Sequence, residues 1–584
     1  VCSSDLGTGG AWPISTDRMI WATAAWELYK ATGDKDWLQQ SYQIIKQSIE
    51  DDVQNVYDAE TGMVKGESSF LDWREQTYPK WMQPADIFES INLATNALHF
   101  HANMVLAKMA EILKEDETAL KHEVIAQMIK MGINEHLWIK DKGYYGQYLY
   151  GRIFKTLSPR SETLGEALCI LFDVADSVRA KQICNNVPVL DFGAPCIYPQ
   201  IPGISSYHNN AVWPFVQTYW ALAAKKTKNE QSVMHSIANI WRAAAMFLTN
   251  KENYVADNGD YKGTVINSSN MLWSLSGNIA LIHKLLFGIE YQSNGLIIHP
   301  FVPEALKGKR RLTNFKYRNA ILDIELNGFG SEIKRVKMDG KVMKQVFIPD
   351  TMAGNHRIEI TLNNQIPKEK INLVYNKTSP PTPNYSLNKI NSICQTKIKK
   401  QLLLNGKPTA RFDKNKSGIW QIIDTDMSGI SSFASEPYYQ FTETAIQTTE
   451  IKETEKEGTL QKGYHGIGYA EISKEKNKEL KFEIDIKEDG IYLLDFRYAN
   501  GSGPVNTENK CAIRTLYVDE KNTGTIVFPQ RGNEEWSNWG YSNAIKKKLK
   551  KGKHTLMLSL EAWNENIDRK STRLNSSHEW ISRM

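Results

Sequence analysis

SINLATNALHFHANMVLAKMAEIL, residues 90–113, places apolar side chains at three-to-four spacing along its whole length, the period of a helix packed into a core. The same period recurs upstream in MIWATAAWELYKA (19–31) and DWLQQSYQIIKQSI (36–49). Downstream it returns in SETLGEALCILFDVA (161–175), NAVWPFVQTYWALAAK (210–225) and MLWSLSGNIALIHKLLFG (271–288). About nine helices are expected between residues 15 and 288. Short connections such as ATGDKD (31–36) alternate with long ones rich in Trp, Tyr, Asp and Gly. Helical hairpins with the chemistry gathered at one end imply a toroid of paired helices whose long loops rim one pocket. Twelve helices close such a toroid, so about three are expected upstream of this chain.

At residue 289 the period changes to alternation broken by Gly, Asn and Pro, in GLIIHPFVPEAL, RLTNFKYRNAILDIELNGFG, IKRVKMDGKVMKQVFIP and HRIEITL (295–362). Short antiparallel strands of a small sandwich are expected over 289–377. TSPPTPNYS (378–386) reads as part of a linker over 378–394. Strands resume over 395–568 in LKFEIDI, IYLLDFRYA, AIRTLYVD and HTLMLSLEAW, which reads as a separate β-sandwich. The fold class expected is multidomain α + β: a truncated toroid over 7–288, a small β-sandwich, then a β-jelly-roll module. VCSSDL (1–6) and RKSTRLNSSHEWISRM (569–584) resemble translated sequencing-adapter readthrough and are set aside.

The composition excludes several function classes. Charged residues make up 23% and the net charge is +5, too balanced and dispersed for a nucleic-acid partner. The one basic run, KKKLKKGKH (546–554), reads as a solvated strand and turn. No apolar stretch approaches the roughly 18 residues of a membrane span. Cys169, Cys184, Cys196, Cys394 and Cys511 are scattered without a CxxC pairing, so neither a disulfide framework nor a zinc site is expected.

Two aromatic-rich, glycine-bearing stretches carry the chemistry: GESSFLDWREQTYPKW (66–81) with Asp72, and NKENYVADNGDYKG (250–263) with Glu252. Cleaving a glycosidic bond takes one carboxylic acid to protonate the leaving oxygen and one carboxylate to activate water or attack the sugar, with aromatic rings on the sugar face. Glu67 and Glu75 flank Asp72 as rivals. Glu162 and Glu166 follow SPR at helical spacing, where Ser158 or Ser161 would cap a helix; Arg160 and Glu162 are the pair there that can face a pocket.

The helical part resembles the (α/α)6-barrel glycosidases, in particular the family 63 oligosaccharide glucosidases and family 37 trehalases. ESSFLD (67–72) followed by Arg74 is similar to the acid-bearing turn of those families, although Ser and Phe stand where Gly is usual. Glu252-Asn253-Tyr254, then Gly259, Gly263 and Trp273-Ser274, follow the order of the base-bearing motif. GGAWPISTDRMIW (9–21) and SYHNNAVWPF (206–215) look like sugar-subsite segments. The resemblance implies an inverting mechanism with Asp72 as acid and Glu252 as base. Trp12, Asp17, Arg18, Trp21, Trp73, Arg74, His208, Asn209, Asn210 and Trp213 would be the substrate-binding residues.

The last module resembles carbohydrate-binding modules of families 6 and 35, through GYHGIGYAEI (463–472), GIYLLDFRYANG (490–501), NEEWSNWGYSN (533–543) and LSLEAWNENID (558–568). Tyr498, Asn500, Trp536, Trp539 and Asn564 are the glycan candidates, and Asp485, Asp495 and Asp568 candidates for a structural calcium ion. No cofactor is expected for catalysis. The function expected is hydrolysis of α-linked glucosides or related oligosaccharides and polysaccharides, at an extracytoplasmic location. The alternatives are an α-L-rhamnosidase or glycoside phosphorylase on the same barrel, or a non-catalytic carbohydrate-binding protein. A phosphorylase dispenses with the catalytic base, so Glu252 argues against it.

Overall fold

The structure, a computed structural model, describes residues 19–67, 77–384, 398–440, 462–464, 468–501 and 511–564. Ten α-helices occur among them: α1 (Ile20–Thr32), α2 (Lys35–Val56), the short α3 (Pro84–Phe88), α4 (Leu93–Leu113), α5 (Asp116–His136), α6 (Thr163–Leu171), α7 (Ser177–Asn186), α8 (Pro214–Lys226), α9 (Glu230–Phe247) and α10 (Leu272–Ala280). Apart from α3, this is the set of nine that the apolar period marks. Helices α4 and α6 bury most of their residues, whereas α5 and α7 bury only one face. Helices α1, α4, α6, α8 and α10 touch in that order as an inner layer, and α2, α5, α7 and α9 cover them. Lys284, just beyond α10, reaches back to Glu27 of α1 at 3.1 Å. The expected ring of twelve helices is not closed by the described residues.

The turns at the two ends of this layer differ in kind. At one end, helices meet through tight turns: Gly33 closes α1 in the left-handed region (φ 73°) and Asp34 caps α2 by accepting from the Trp37 amide at 2.9 Å. The left-handed backbone favours glycine there, and the Arg318 guanidinium lies over the position. At the other end the loops are long, and two-residue ladders join them. Ile91–Asn92 pairs with Tyr148–Tyr150, Ser161–Glu162 with Ile197–Tyr198, and Ala211–Val212 with Tyr254–Val255. Each first-named strand runs straight into an inner helix, α4, α6 or α8 respectively.

Beyond the helices, a three-stranded sheet (Ile289–Gln292, Gly295–Ile298, Phe347–Pro349) faces a five-stranded one across a shared apolar core. In the latter, Asn319–Gly328 and Ala353–Leu362 pair in parallel, so the expectation of purely antiparallel strands is corrected. Strand Asn319–Gly328 alternates buried and exposed residues, which is the pattern read in the sequence. Further on lie a four-stranded sheet over 398–440 and a second over 479–559 with its own core around Leu516, Ile526 and Leu558. The described cysteines are all free. No helix among the described residues is long and apolar enough to cross a membrane.

The last sheet does not hang free of the helices. Cys511, Ile513 and Val527 form one buried cluster with Val56, Val64 and Phe88 of the helical region. Around it, Asn55 donates to the Trp563 carbonyl at 2.9 Å and accepts from Asn564 at 2.8 Å, and Asn543 donates to Glu89 at 3.1 Å. The C-terminal residues are therefore fixed against the helices by an apolar seam with a hydrogen-bonded rim. Ile513→Asp sets a carboxylate in that seam, where removal from water costs several kcal/mol. Calorimetry should show the two regions of the unaltered chain unfolding in one transition and the variant splitting off an earlier one; superposable traces would refute the seam.

Candidate active site

Glu252 lies two residues before Tyr254, whose pairing with Val212 sets the carboxylate beside the start of α8. It is buried, and both carboxyl oxygens are held. The Tyr207 hydroxyl donates to Oε1 at 3.0 Å and the Ser268 amide to Oε2 at 2.9 Å, while the Glu252 amide donates back to the Ser268 carbonyl at 3.0 Å. Two donors on separate loops leave the carboxylate one orientation. Ser274, at the start of α10, donates to the Lys251 carbonyl at 2.9 Å and ties the segment to the inner layer. Gly259 turns the chain back with φ 67°; a side chain there would meet the Phe192 ring at 2.5 Å.

Tyr207, which holds this carboxylate, belongs to an aromatic group. The Trp213 ring lies 5.1 Å from Tyr207, 5.0 Å from His208, 5.9 Å from Phe215 and 5.9 Å from Trp273. Its indole donates to the Tyr207 carbonyl at 2.7 Å, so Trp213 positions the tyrosine that holds Glu252. His208 is buried between Tyr207 and Trp213. The structure thus brings Glu252, His208 and Trp213 together. Trp21 is elsewhere, half-buried on α1 against the helical core.

Both ends of the Asn209 carboxamide are engaged on its own loop, accepting from the Ile201 amide at 2.7 Å and donating to the carbonyls of Ile201 and Ile204. Asn210, with φ 52°, bridges Ser206, Asp257 and Asn376. Both amides hold the loop in shape. Trp12, Asp17, Arg18, Asp72, Trp73 and Arg74 lie outside the described residues, as does Glu75.

Helix α6 starts without the expected serine cap; Glu162 occupies its N-cap position and is buried within the ladder to Ile197. Glu166, one turn on, accepts from the Tyr145 amide at 2.8 Å, and burial pushes its carboxyl well above the ordinary range. Tyr207 and Ser268 are the functional partners that the sequence did not mark: a lone tyrosine among loop aromatics carries no signature, and Ser268 acts through its backbone.

In the C-terminal region the glycan candidates Tyr498, Asn500 and Asn564 are engaged within the protein. The Tyr498 hydroxyl donates to the Pro529 carbonyl at 3.0 Å, Asn500 donates to the Phe528 carbonyl at 2.8 Å, and Asn564 is committed to Asn55; all three are buried. Trp536 is exposed. Trp539 lies half-exposed, 5.5 Å from Tyr469 and beneath the Arg497 guanidinium at 5.3 Å. Asp485 is exposed and engaged by Lys487 at 2.5 Å. Burial raises the Asp495 carboxyl above its ordinary value. Asp568 lies outside the described residues, and among those described no group of three or more His, Cys, Asp or Glu is arranged to hold a metal ion.

Residues 11–188 match a family described as the bacterial alpha-L-rhamnosidase six-hairpin glycosidase domain. The match covers less than a third of the chain, whose helical region is thus similar to a six-hairpin glycosidase domain. Two cycloisomaltooligosaccharide glucanotransferases of Niallia circulans are 34% and 31% identical over 110 and 126 residues, 19% and 22% of this chain. Those stretches span only 10% and 12% of the two relatives. Among solved structures, a family 78 rhamnosidase of Bacillus sp. GL1 is 16% identical, with 62% of this chain and 34% of that one covered at a TM-score of 0.37.

Glu166 supplies a pH test of the burial of α6. Unfolded, its carboxyl ionises near 4.5; folded, it keeps its proton well above that, so the unfolded state binds fewer protons and stability falls as pH rises past the lower value. Glu166→Gln keeps the shape and removes the ionisation. Its unfolding free energy relative to the unaltered chain should climb between about pH 5 and pH 8; parallel profiles would sink the assignment.

Proposed function

We propose that the chain is an inverting glycosidase acting on α-linked sugars, with Glu252 as the base that activates water and Asp72 as the acid. The observation that carries this reading is the buried Glu252 carboxylate, held on one oxygen by Tyr207, whose ring packs against His208 and Trp213, and on the other by the Ser268 amide. A base must be aimed at its water before reaction, and two fixed donors do this without closing off the carboxylate's remaining lone pairs. Asp72 comes from the sequence motif, and inversion requires the two carboxyl groups roughly 6.5–9.5 Å apart.

Two substrate classes fit. The matched family is described by α-L-rhamnosidase activity and the curated relatives by transfer of glucose units, so α-L-rhamnosides and α-D-glucosides are the sugars to try. The C-terminal region, through Trp536 and Trp539, would hold a longer glycan near the site.

Hydrolysis of aryl α-L-rhamnoside and aryl α-D-glucoside, each with and without inorganic phosphate, tests the reading. Turnover independent of phosphate is expected for at least one of them. Glu252→Gln and Asp72→Asn should each lower kcat by about a hundredfold or more with the fold intact. Tyr207→Phe, which removes one donor from the carboxylate, should cost about tenfold in kcat/KM. Unchanged rates in Glu252→Gln would overturn the assignment, and turnover only with phosphate would make the protein a phosphorylase.

A further inference from the structure

Residues Ser432–Ser435 lie in the connection between strands Gly418–Asp426 and Tyr438–Gln440 of the sheet over 398–440; all four are buried, and Phe433 and Ala434 are covered by the loop end of the helical layer. Phe433 and Ala434 join Tyr78, Met82, Ile87, Tyr148, Tyr150, Ile197 and Ile201 in a single apolar cluster. The backbone of Ala434 is held on both sides. Its amide donates to the Tyr150 hydroxyl at 2.7 Å, and its carbonyl accepts from the Trp81 indole at 2.9 Å. The Phe433 ring meets Tyr150 edge-on at 5.6 Å and lies 4.0 Å from the Arg160 guanidinium.

Arg160 makes this contact more than packing. It is fully buried, donates through Nε to the Pro199 carbonyl at 3.1 Å and through Nη2 to Ser379 at 2.7 Å, and has no carboxylate partner among the described residues. Its Nη1 is buried without a hydrogen-bond partner there. Burial lowers its pKa to about 10. A buried cation with neutral acceptors is stabilised by an aromatic face, and Phe433 supplies that face.

The ladders connect this wedge to the site. Tyr148 pairs with Asn92 ahead of α4, Ile197 pairs with Glu162 ahead of α6, and Arg160 lies two residues before Glu162. On the other side, Tyr148 donates to the Thr77 carbonyl at 2.6 Å, and Asn92 donates to the Tyr78 hydroxyl at 3.2 Å. Thr77–Met82 is thereby clamped between the start of α4 and the wedge.

Resting on the glycosidase reading above, we propose that Phe433 is a positioning residue for the glycosidase site: the C-terminal region completes the mouth of the helical layer by wedging Phe433 and Ala434 between Trp81, Tyr150 and Arg160. The downstream sheet is then part of the catalytic unit. Substrate meets loops whose placement depends on residues far along the chain.

Phe433→Leu keeps apolar volume and removes the ring face; Phe433→Tyr keeps the ring. Amide hydrogen exchange over 77–82 and steady-state kinetics on the aryl glycoside that turns over are measured well below the melting temperature of each variant. For Phe433→Leu, exchange over 77–82 should quicken by about tenfold and kcat/KM fall by about tenfold, with Phe433→Tyr restoring both. A lowered melting temperature with exchange over 77–82 and kcat/KM both unchanged would overturn the proposal, leaving a structural contact only. Should the unaltered chain turn over no glycoside, the glycosidase reading fails by itself, and the exchange arm still decides whether the wedge sets the loop. If Phe433→Leu does not fold, Trp81→Phe removes the hydrogen bond to Ala434 alone and is read by the same two measurements.

Discussion

Long loops on the face of a helical layer carry backbone groups that must find partners once the loops are covered. In this protein the two-residue ladders meet that demand, and the site depends on them. A ladder of two residues is worth little by itself. Here each is continuous with an inner helix, so its register is set by the packing of that helix. The pairing of Val212 with Tyr254 goes with the placing of Glu252 within reach of the Tyr207 hydroxyl, and the pairing of Ser161–Glu162 with Ile197–Tyr198 sets Arg160 under Phe433. A slip of one residue in either ladder would turn the neighbouring side chains to the opposite face.

The same arrangement explains how chemistry-bearing residues distant in sequence become one site. Tyr207 and Ser268 come from different loops, yet both reach Glu252, because the loop after α9 folds back along the strand that begins α8. Aromatic rings fill the space between. Their offset and tilted contacts leave few alternative packings, which suits a carboxylate that must stay aimed while substrates come and go.

Helices were the most legible part of the sequence, since the three-to-four period of α4, α8 and α10 follows directly from burial of one or more faces. The change of period at residue 289 was equally plain. The parallel pair Asn319–Gly328 with Ala353–Leu362 was not, because alternation reveals which face is buried and says nothing of strand direction. Within the site, Glu252, His208 and Trp213 stood out by residue type and motif. Asn209 and Asn210 shared the motif, but loop-closing and sugar-binding amides look alike until their hydrogen bonds are known. Tyr498, Asn500 and Asn564 carry the same ambiguity: these buried polar groups near strand ends are paired with backbone or with Asn55. The contact of the last sheet with α2 and α3 had no sequence signal at all, because Val56, Phe88, Ile513 and Val527 each read as ordinary core.

The central claim is that Glu252 delivers water to the sugar from the face opposite the leaving group. Proton NMR of the first sugar released from an aryl α-glycoside tests it most directly. The account predicts that the β-anomer appears first and then equilibrates by mutarotation; initial release of the α-anomer would contradict it.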